Sequence, residues 1–171
     1  RAFREAMGEL GVGGKLLAAD ITPASSAYQS ADEGLLVPRV DDEAYLPALL
    51  ELVEQRRVGL LVPTVDLDLL LLARNRERFA AVGCTVMIGS EASVAVCRDK
   101  LRTPEALARA GLPAVRTVDW QTFREAPFYP TFCKPAGGSA GRGSAVVRDE
   151  AQLEALLAMR GRERVEREYV F

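Results

Sequence analysis

With 171 residues, 49% of them apolar, the chain has enough hydrophobic material for one domain or two small ones, which excludes a disordered polypeptide. Its 22 Lys and Arg against 24 Asp and Glu leave a net charge of −2 with no sustained block of one sign, so neither a nucleic-acid footprint nor a polybasic membrane patch is present. The absence of histidine excludes His-ligated zinc, a Ser-His-Asp triad and a Cys-His pair, leaving carboxylates, lysines and backbone amides as chemical tools.

The cysteines Cys84, Cys97 and Cys133 are scattered, odd in number and free of any CxxC spacing, which suits a reducing cytoplasm better than a disulfide framework. No apolar run approaches the roughly 20 residues of a membrane span. The longest candidate, DLDLLLLA at 66–73, is too short. The first residue is Arg1 and no signal-peptide pattern follows it, so the chain reads as a piece of a longer protein.

In chain order, RAFREAMGEL (1–10) reads as a helix. KLLAAD (15–20), GLLVPRV (34–40), GLLVPTV (59–65) and CTVMIGS (84–90) are short, apolar and bounded by Gly, Pro or Asp, as strands are. Between them, DEAYLPALLELVEQRR places Tyr45, Leu46, Leu49, Leu50, Leu52 and Val53 at helical steps, with Asp41 or Asp42 as its cap and Pro47 acceptable in the first turn. A second helix runs from about 67 to Gly83, which sits where a left-handed cap belongs. Strands alternating with helices predict a Rossmann-like unit with a parallel sheet over 1–92, its first strand lying before Arg1. GELGVGGK (8–15) follows a helix and precedes a strand, the wrong order for a dinucleotide fingerprint, and is read as a connection. Asp20, at a strand end, is read as a turn or helix-cap residue.

From about 91 the pattern changes to α+β, residues 93–171 forming a second domain. EASVAVCRDKL is a short helical stretch, and Thr103-Pro104-Glu105 predicts an N-cap, a proline at the first helical position and an acid in the first turn of a helix ending at Gly111. AVRTVD (114–119), YPTFCKP (129–135), SAVVRD (144–149) and the final REYVF are strand-like; WQTFRE and DEAQLEALLAM are helical; RGRERVERE (160–168) is a solvated helix face or helix end.

The stretch FCKPAGGSAGRGSAVV (132–147) joins two of these strands through a loop containing Gly137, Gly138, Gly141 and Gly143, with Lys134 beside it. Glycines let backbone N–H groups turn toward a ligand, and a lysine adds a compact charge, a combination suited to phosphate oxygens. GGSAGRG is neither a Walker A sequence nor GxGxxG. It has the geometry of a flap between two strands, and an exposed hairpin tip is the alternative reading. Cys133 is read as a strand residue.

Taken with CRDKLRTPEALARAGLPAVRT (97–117), this stretch resembles the ATP-grasp superfamily, nearest to its carbamoyl-phosphate synthase-like and biotin carboxylase-like members. The features that carry the resemblance are Asp99-Lys100 at a helix, Ala110-Gly111-Leu112-Pro113 as a turn, and Pro130-Thr131-Phe132-Cys133-Lys134-Pro135 ahead of the glycine loop. VPTVDLDLLLLARNRERFAAVGCTVMIGS is similar to the end of the domain that precedes the grasp. The resemblance implies that 1–92 is a Rossmann-like pre-ATP-grasp domain and 93–171 the small first subdomain of the grasp. It also implies that Lys100 and Lys134 contact ATP phosphates while amides around Gly137, Gly138, Ser139, Ala140 and Gly141 close over them, with Arg142 as a candidate third cation. The implied cofactors are ATP and magnesium, with the adenine hinge and metal ligands expected beyond Phe171. Glu163, Glu166 and Glu168 therefore stay unassigned.

The resulting expectation is a cytoplasmic ATP-dependent ligase that phosphorylates a small-molecule carboxylate for attack by an amine or other nucleophile. The parent is a candidate homo-oligomer, and the 171-residue piece alone is expected to be inactive. Two other readings stay open: a nicotinamide- or flavin-dependent oxidoreductase, suggested by the parallel-sheet half, and a nucleotide-binding module without catalysis.

Overall fold

A computed structural model describes residues 2–137 and 141–171. The chain divides into two compact units, Arg1–Leu61 with Asn75–Val86, and Val62–Arg74 with Met87–Phe171. No helix among the described residues is long and apolar enough to cross a membrane.

The first unit contains α1 (Ala2–Glu9), β1 (Leu17–Asp20), α2 (Ser26–Ser30), β2 (Glu33–Leu36), α3 (Tyr45–Gln55), β3 (Leu60–Leu61), the later turns of α4 (Leu69–Ala81) and β4 (Thr85–Val86). β1 pairs with β2 and β3 with β4, both in parallel, as two separate ladders rather than the single sheet expected. Strands β2 and β3 are shorter than predicted. Pro38 and Pro63 follow them closely, and a proline has no N–H to give a ladder. Helix α2 escapes the sequence pattern because five residues are too few to show a period; Ser25 caps it, its hydroxyl accepting from the Tyr28 amide.

Helix α3 follows the predicted spacing and buries Tyr45, Leu49 and Val53. Its cap position is Ala44, not an aspartate. Asp42 acts just ahead of the helix, its carboxylate accepting from the Ala44 amide at 2.8 Å. Pro47 falls in the first turn, where an N–H has no intrahelical partner to lose. Gly83, at φ 81°, follows α4 in the left-handed conformation the sequence required. Asp20 ends β1 in a turn, accepting from the Thr22 amide, and the Ser25 hydroxyl foremost holds its carboxyl below the ordinary range.

The second unit contains α5 (Glu91–Arg98), α6 (Arg102–Arg109), α7 (Trp120–Glu125), β5 (Thr131–Pro135), β6 (Ala145–Val147), α8 (Glu150–Arg160), α9 (Arg162–Glu168) and β7 (Tyr169–Val170), besides the first turns of α4. Its sheet has the order β6-β5-β7, antiparallel throughout. The strand expected over 114–119 is reduced to a bridge between Asp119 and Val170, next to which Val118 and Phe171 exchange both backbone hydrogen bonds. Thr103 is not an N-cap. It lies inside α6 and its hydroxyl donates to the carbonyls of Val96 and Asp99, while the Asp99 carboxylate accepts from the amides of Leu101 and Arg102 and so caps the helix from outside.

One apolar cluster holds this unit together: Phe123, Cys133, Val147, Leu153, Leu156, Leu157, Val165, Tyr169 and Phe171. Side chains of this size each stabilise the fold by roughly 1.5–3 kcal/mol on full burial. Phe123 is its centre, stacked on Phe171 with centroids 4.3 Å apart and edge-on to Phe128 and Tyr129. β5 is thus anchored on one face.

Candidate functional site

The two-residue period of a strand sends Thr131 and Cys133 to the core face of β5, and Phe132 and Lys134 to the opposite face. Cys133 is fully buried, and that burial pushes its thiol up to about 12, so it is a structural residue. Phe132 pairs across the hairpin with Val146, and the two are 51% and 48% exposed, which makes an apolar strip beside Lys134. The Lys134 ammonium lies 6.0 Å from the centroid of the Phe132 ring.

Lys100 reaches the same place from the corner between α5 and α6. Its ammonium donates to the carbonyl of Ala136, the residue after β5, at 3.2 Å. Burial lowers its proton affinity first, followed by the positive charges of Lys134 and Arg98, with Asp66 and Asp99 acting the other way. Arg98 braces the corner by donating to the Asp66 carbonyl. The two lysines expected to work together are therefore brought together, at the foot of the glycine loop.

The loop leaves β5 through Ala136, whose amide donates to the Glu168 carbonyl at 2.7 Å, and re-enters the sheet through Gly141–Gly143 and β6. Gly141 and Gly143 have φ of 68° and 79°. At Gly143 a Cβ would stand 2.9 Å from the Tyr169 hydroxyl and 3.1 Å from Pro135 Cγ, so a larger residue would force these side chains to shift. Gly137 is exposed at the loop's start and Arg142 is exposed at its return. Gly138, Ser139 and Ala140, three of the predicted phosphate-contacting residues, lie outside the described residues.

A cavity of about 180 Å³ opens beside Lys134, lined by Val115, Arg116, Thr117, Phe128, Pro130, Thr131, Phe132, Lys134 and Phe171. No carboxylate lines it. Sequence patterning gave no sign of Arg116 or Phe128, because nothing local tells that residues 116 and 128 border the same hollow as Lys134. Among the described residues, no three His, Cys, Asp or Glu side chains gather into a metal-holding set.

The fold of this chain is similar to that of solved carboxylases and ligases. Biotin carboxylase from Campylobacter jejuni, solved as its β-γ-ATP complex, matches 97% of this chain with 20% identity and a TM-score of 0.65. N5-carboxyaminoimidazole ribonucleotide synthetase from Thermus thermophilus matches 99% with 22% identity and a TM-score of 0.64. The biotin carboxylase domain of Hydrogenobacter thermophilus 2-oxoglutarate carboxylase, a dimer with MgADP, ADP and bicarbonate, matches 97% with 22% identity and a TM-score of 0.63. The chain spans 41%, 42% and 40% of these proteins respectively. At such identity the likeness establishes an α/β fold of the kind found in ATP-grasp carboxylases and ligases. The family model described as "PylC-like, N-terminal domain" matches residues 1–87, more than half of the chain, and the chain belongs to that family.

Proposed function

We propose that this chain supplies one wall of the nucleotide site of an ATP-grasp ligase. The observation that carries the reading is the meeting of Lys100 and Lys134 at the foot of a glycine loop, beside a carboxylate-free cavity with aromatic walls. Two ammonium groups and the loop amides match the oxygens of a polyphosphate, each charge-assisted hydrogen bond contributing on the order of 1.5–3 kcal/mol. The apolar strip of Phe132 and Val146 suits the base. The roles of Gly137, Gly138, Ser139, Ala140, Gly141 and Arg142 as further phosphate contacts belong to the same proposal.

The chemistry ATP supplies is phosphorylation of a carboxylate, giving an acyl phosphate that an amine or other nucleophile attacks with release of phosphate. The residues of this chain act by position and charge. Lys134 and Lys100 neutralise the phosphate chain and hold it in line, which is most of what phosphoryl transfer asks of a protein and requires no histidine. Membership of the PylC-like family and the fold shared with ATP-grasp enzymes support a ligase over the oxidoreductase reading.

The experiment is to incubate the full-length protein with ATP, magnesium and a panel of small carboxylates, with hydroxylamine as trap. A hydroxamate forming together with ADP, and lost in Lys134→Ala, is the expected result. ADP release without hydroxamate for any carboxylate would refute the acyl-phosphate route, and no ATP binding at all would refute the nucleotide site.

A further inference from the structure

The glycine loop has two described limbs, residues 136–137 leaving β5 and residues 141–144 returning to β6. The ladder between these strands ends at the Cys133–Ala145 pair, and two residues further on Pro135 has no N–H with which to extend it. Among the described residues no backbone hydrogen bond ties one limb to the other. Past the last ladder pair, the limbs depend on what packs between them.

Tyr169 packs there. It pairs with Pro135 across the sheet, and the Pro135 ring in turn lies against Gly143. The Tyr169 hydroxyl approaches the same glycine: a Cβ on Gly143 would stand 2.9 Å from it, with Pro135 Cγ at 3.1 Å. One side chain therefore meets the base of the departing limb and the returning limb together. Its mount is firm. The Tyr169 amide donates to the Val165 carbonyl at the end of α9, the Glu168 carbonyl accepts from the Ala136 amide at 2.7 Å, and the ring is buried in the apolar cluster. A phenylalanine would fill the same space in that cluster and stop one atom short of Gly143.

We propose that Tyr169 is a positioning residue for the phosphate loop: held by the core, it braces the two limbs through Pro135 and Gly143 and so fixes the direction in which the loop amides face. The assignment rests on the nucleotide reading given above and adds a residue that itself touches no phosphate. Tyr169 stands with Pro135 and Cys133 on the core face of the sheet, and Lys134 stands on the other. A cradle made of backbone amides has no side chains to aim it, so a small shift at its root is felt by every amide it presents.

The test is Tyr169→Phe in the full-length protein, read in two ways. Without ligand, hydrogen exchange follows the Ser144 amide, which donates to the Gly141 carbonyl in the returning limb, against the Phe123 amide, which donates to the Asp119 carbonyl in the core. Exchange at Ser144 is expected to quicken about tenfold, with Phe123 and the melting temperature unchanged. With ligand, calorimetry is expected to show about tenfold weaker binding of both ATP and inorganic tripolyphosphate, which has the phosphates and no base. Unchanged exchange at Ser144 would overturn the brace. Faster exchange with unchanged affinity for both ligands would overturn its part in phosphate binding, as would a loss confined to ATP. Faster exchange at Phe123 together with a lower melting temperature would make Tyr169 a general core residue and overturn the assignment. Wild-type protein that binds neither ligand would instead overturn the nucleotide reading, and the positioning role with it, whatever Ser144 shows.

Discussion

The ammonium of Lys100 donates to the carbonyl of Ala136 at 3.2 Å, tying the corner between α5 and α6 to the first residue beyond β5. Lys100 is depressed from 10.5 by burial first and by Lys134 next. Lys134→Met removes the like charge and is expected to move the Lys100 titration upward, which NMR of the lysine ε-carbon reads directly. The linkage sign follows from the direction of the shift. Between the depressed folded value and 10.5 the unfolded chain binds more protons, so this group's contribution to stability grows as pH rises through that window and is lost as pH falls through the folded value. A Lys100 titration unmoved in Lys134→Met would show that the two ammonium groups do not share a field.

Because both lysines stand at the loop's foot, Lys134→Ala and Lys100→Ala in the full-length protein are each expected to weaken ATP binding by roughly 1.5–3 kcal/mol. Calorimetry decides it, and unchanged affinity in both variants removes the phosphate assignment.

The returning end of the loop offers a comparison of two glycines. Gly141 and Gly143 both have positive φ, but a Cβ at Gly141 meets nothing within 4 Å, whereas at Gly143 it meets the Tyr169 hydroxyl at 2.9 Å. Gly141→Ala is expected to cost about 1–2 kcal/mol, from backbone strain alone. Gly143→Ala adds overpacking against Tyr169 and Pro135, and its expected cost is about 2–4 kcal/mol. Urea unfolding of the two variants tests the order, and equal costs would mean that Tyr169 yields freely.

A similar test applies in the first unit, where a Cβ on Gly34 would fall 2.5 Å from the Tyr28 ring. Gly34→Ala alone is expected to destabilise by about 1–3 kcal/mol through overpacking. In a Tyr28→Ala background the same change should cost little, so the double-mutant cycle is expected to show a strong coupling between these residues. An additive cycle would indicate that the strand, rather than the ring, absorbs the methyl group.

Lys134, the glycine loop and the flanking strands were legible because they are contiguous: strand residues, glycines and strand residues in one run of sequence leave few shapes. Lys100 required the resemblance, since a lone lysine after a helix has no local signature. The capping of α6 departs from expectation for a physical reason. Thr103-Pro104 has the composition of a helix start, but the Asp99 carboxylate accepts the two leading amides from further upstream and frees Thr103 to point back at α5. Arg116 and Phe128 were invisible because their meeting depends on how the chain returns to the sheet, which no periodicity encodes.

The distribution of the three thiols gives the molecule a practical property. Cys84 and Cys133 are buried and Cys97 is exposed on α5, three residues before Lys100. A maleimide dye added to the native protein therefore has a single sulfur to react with among them. The label it leaves reports from the helix that delivers Lys100, giving a fluorescence signal at the edge of the site without any engineered cysteine.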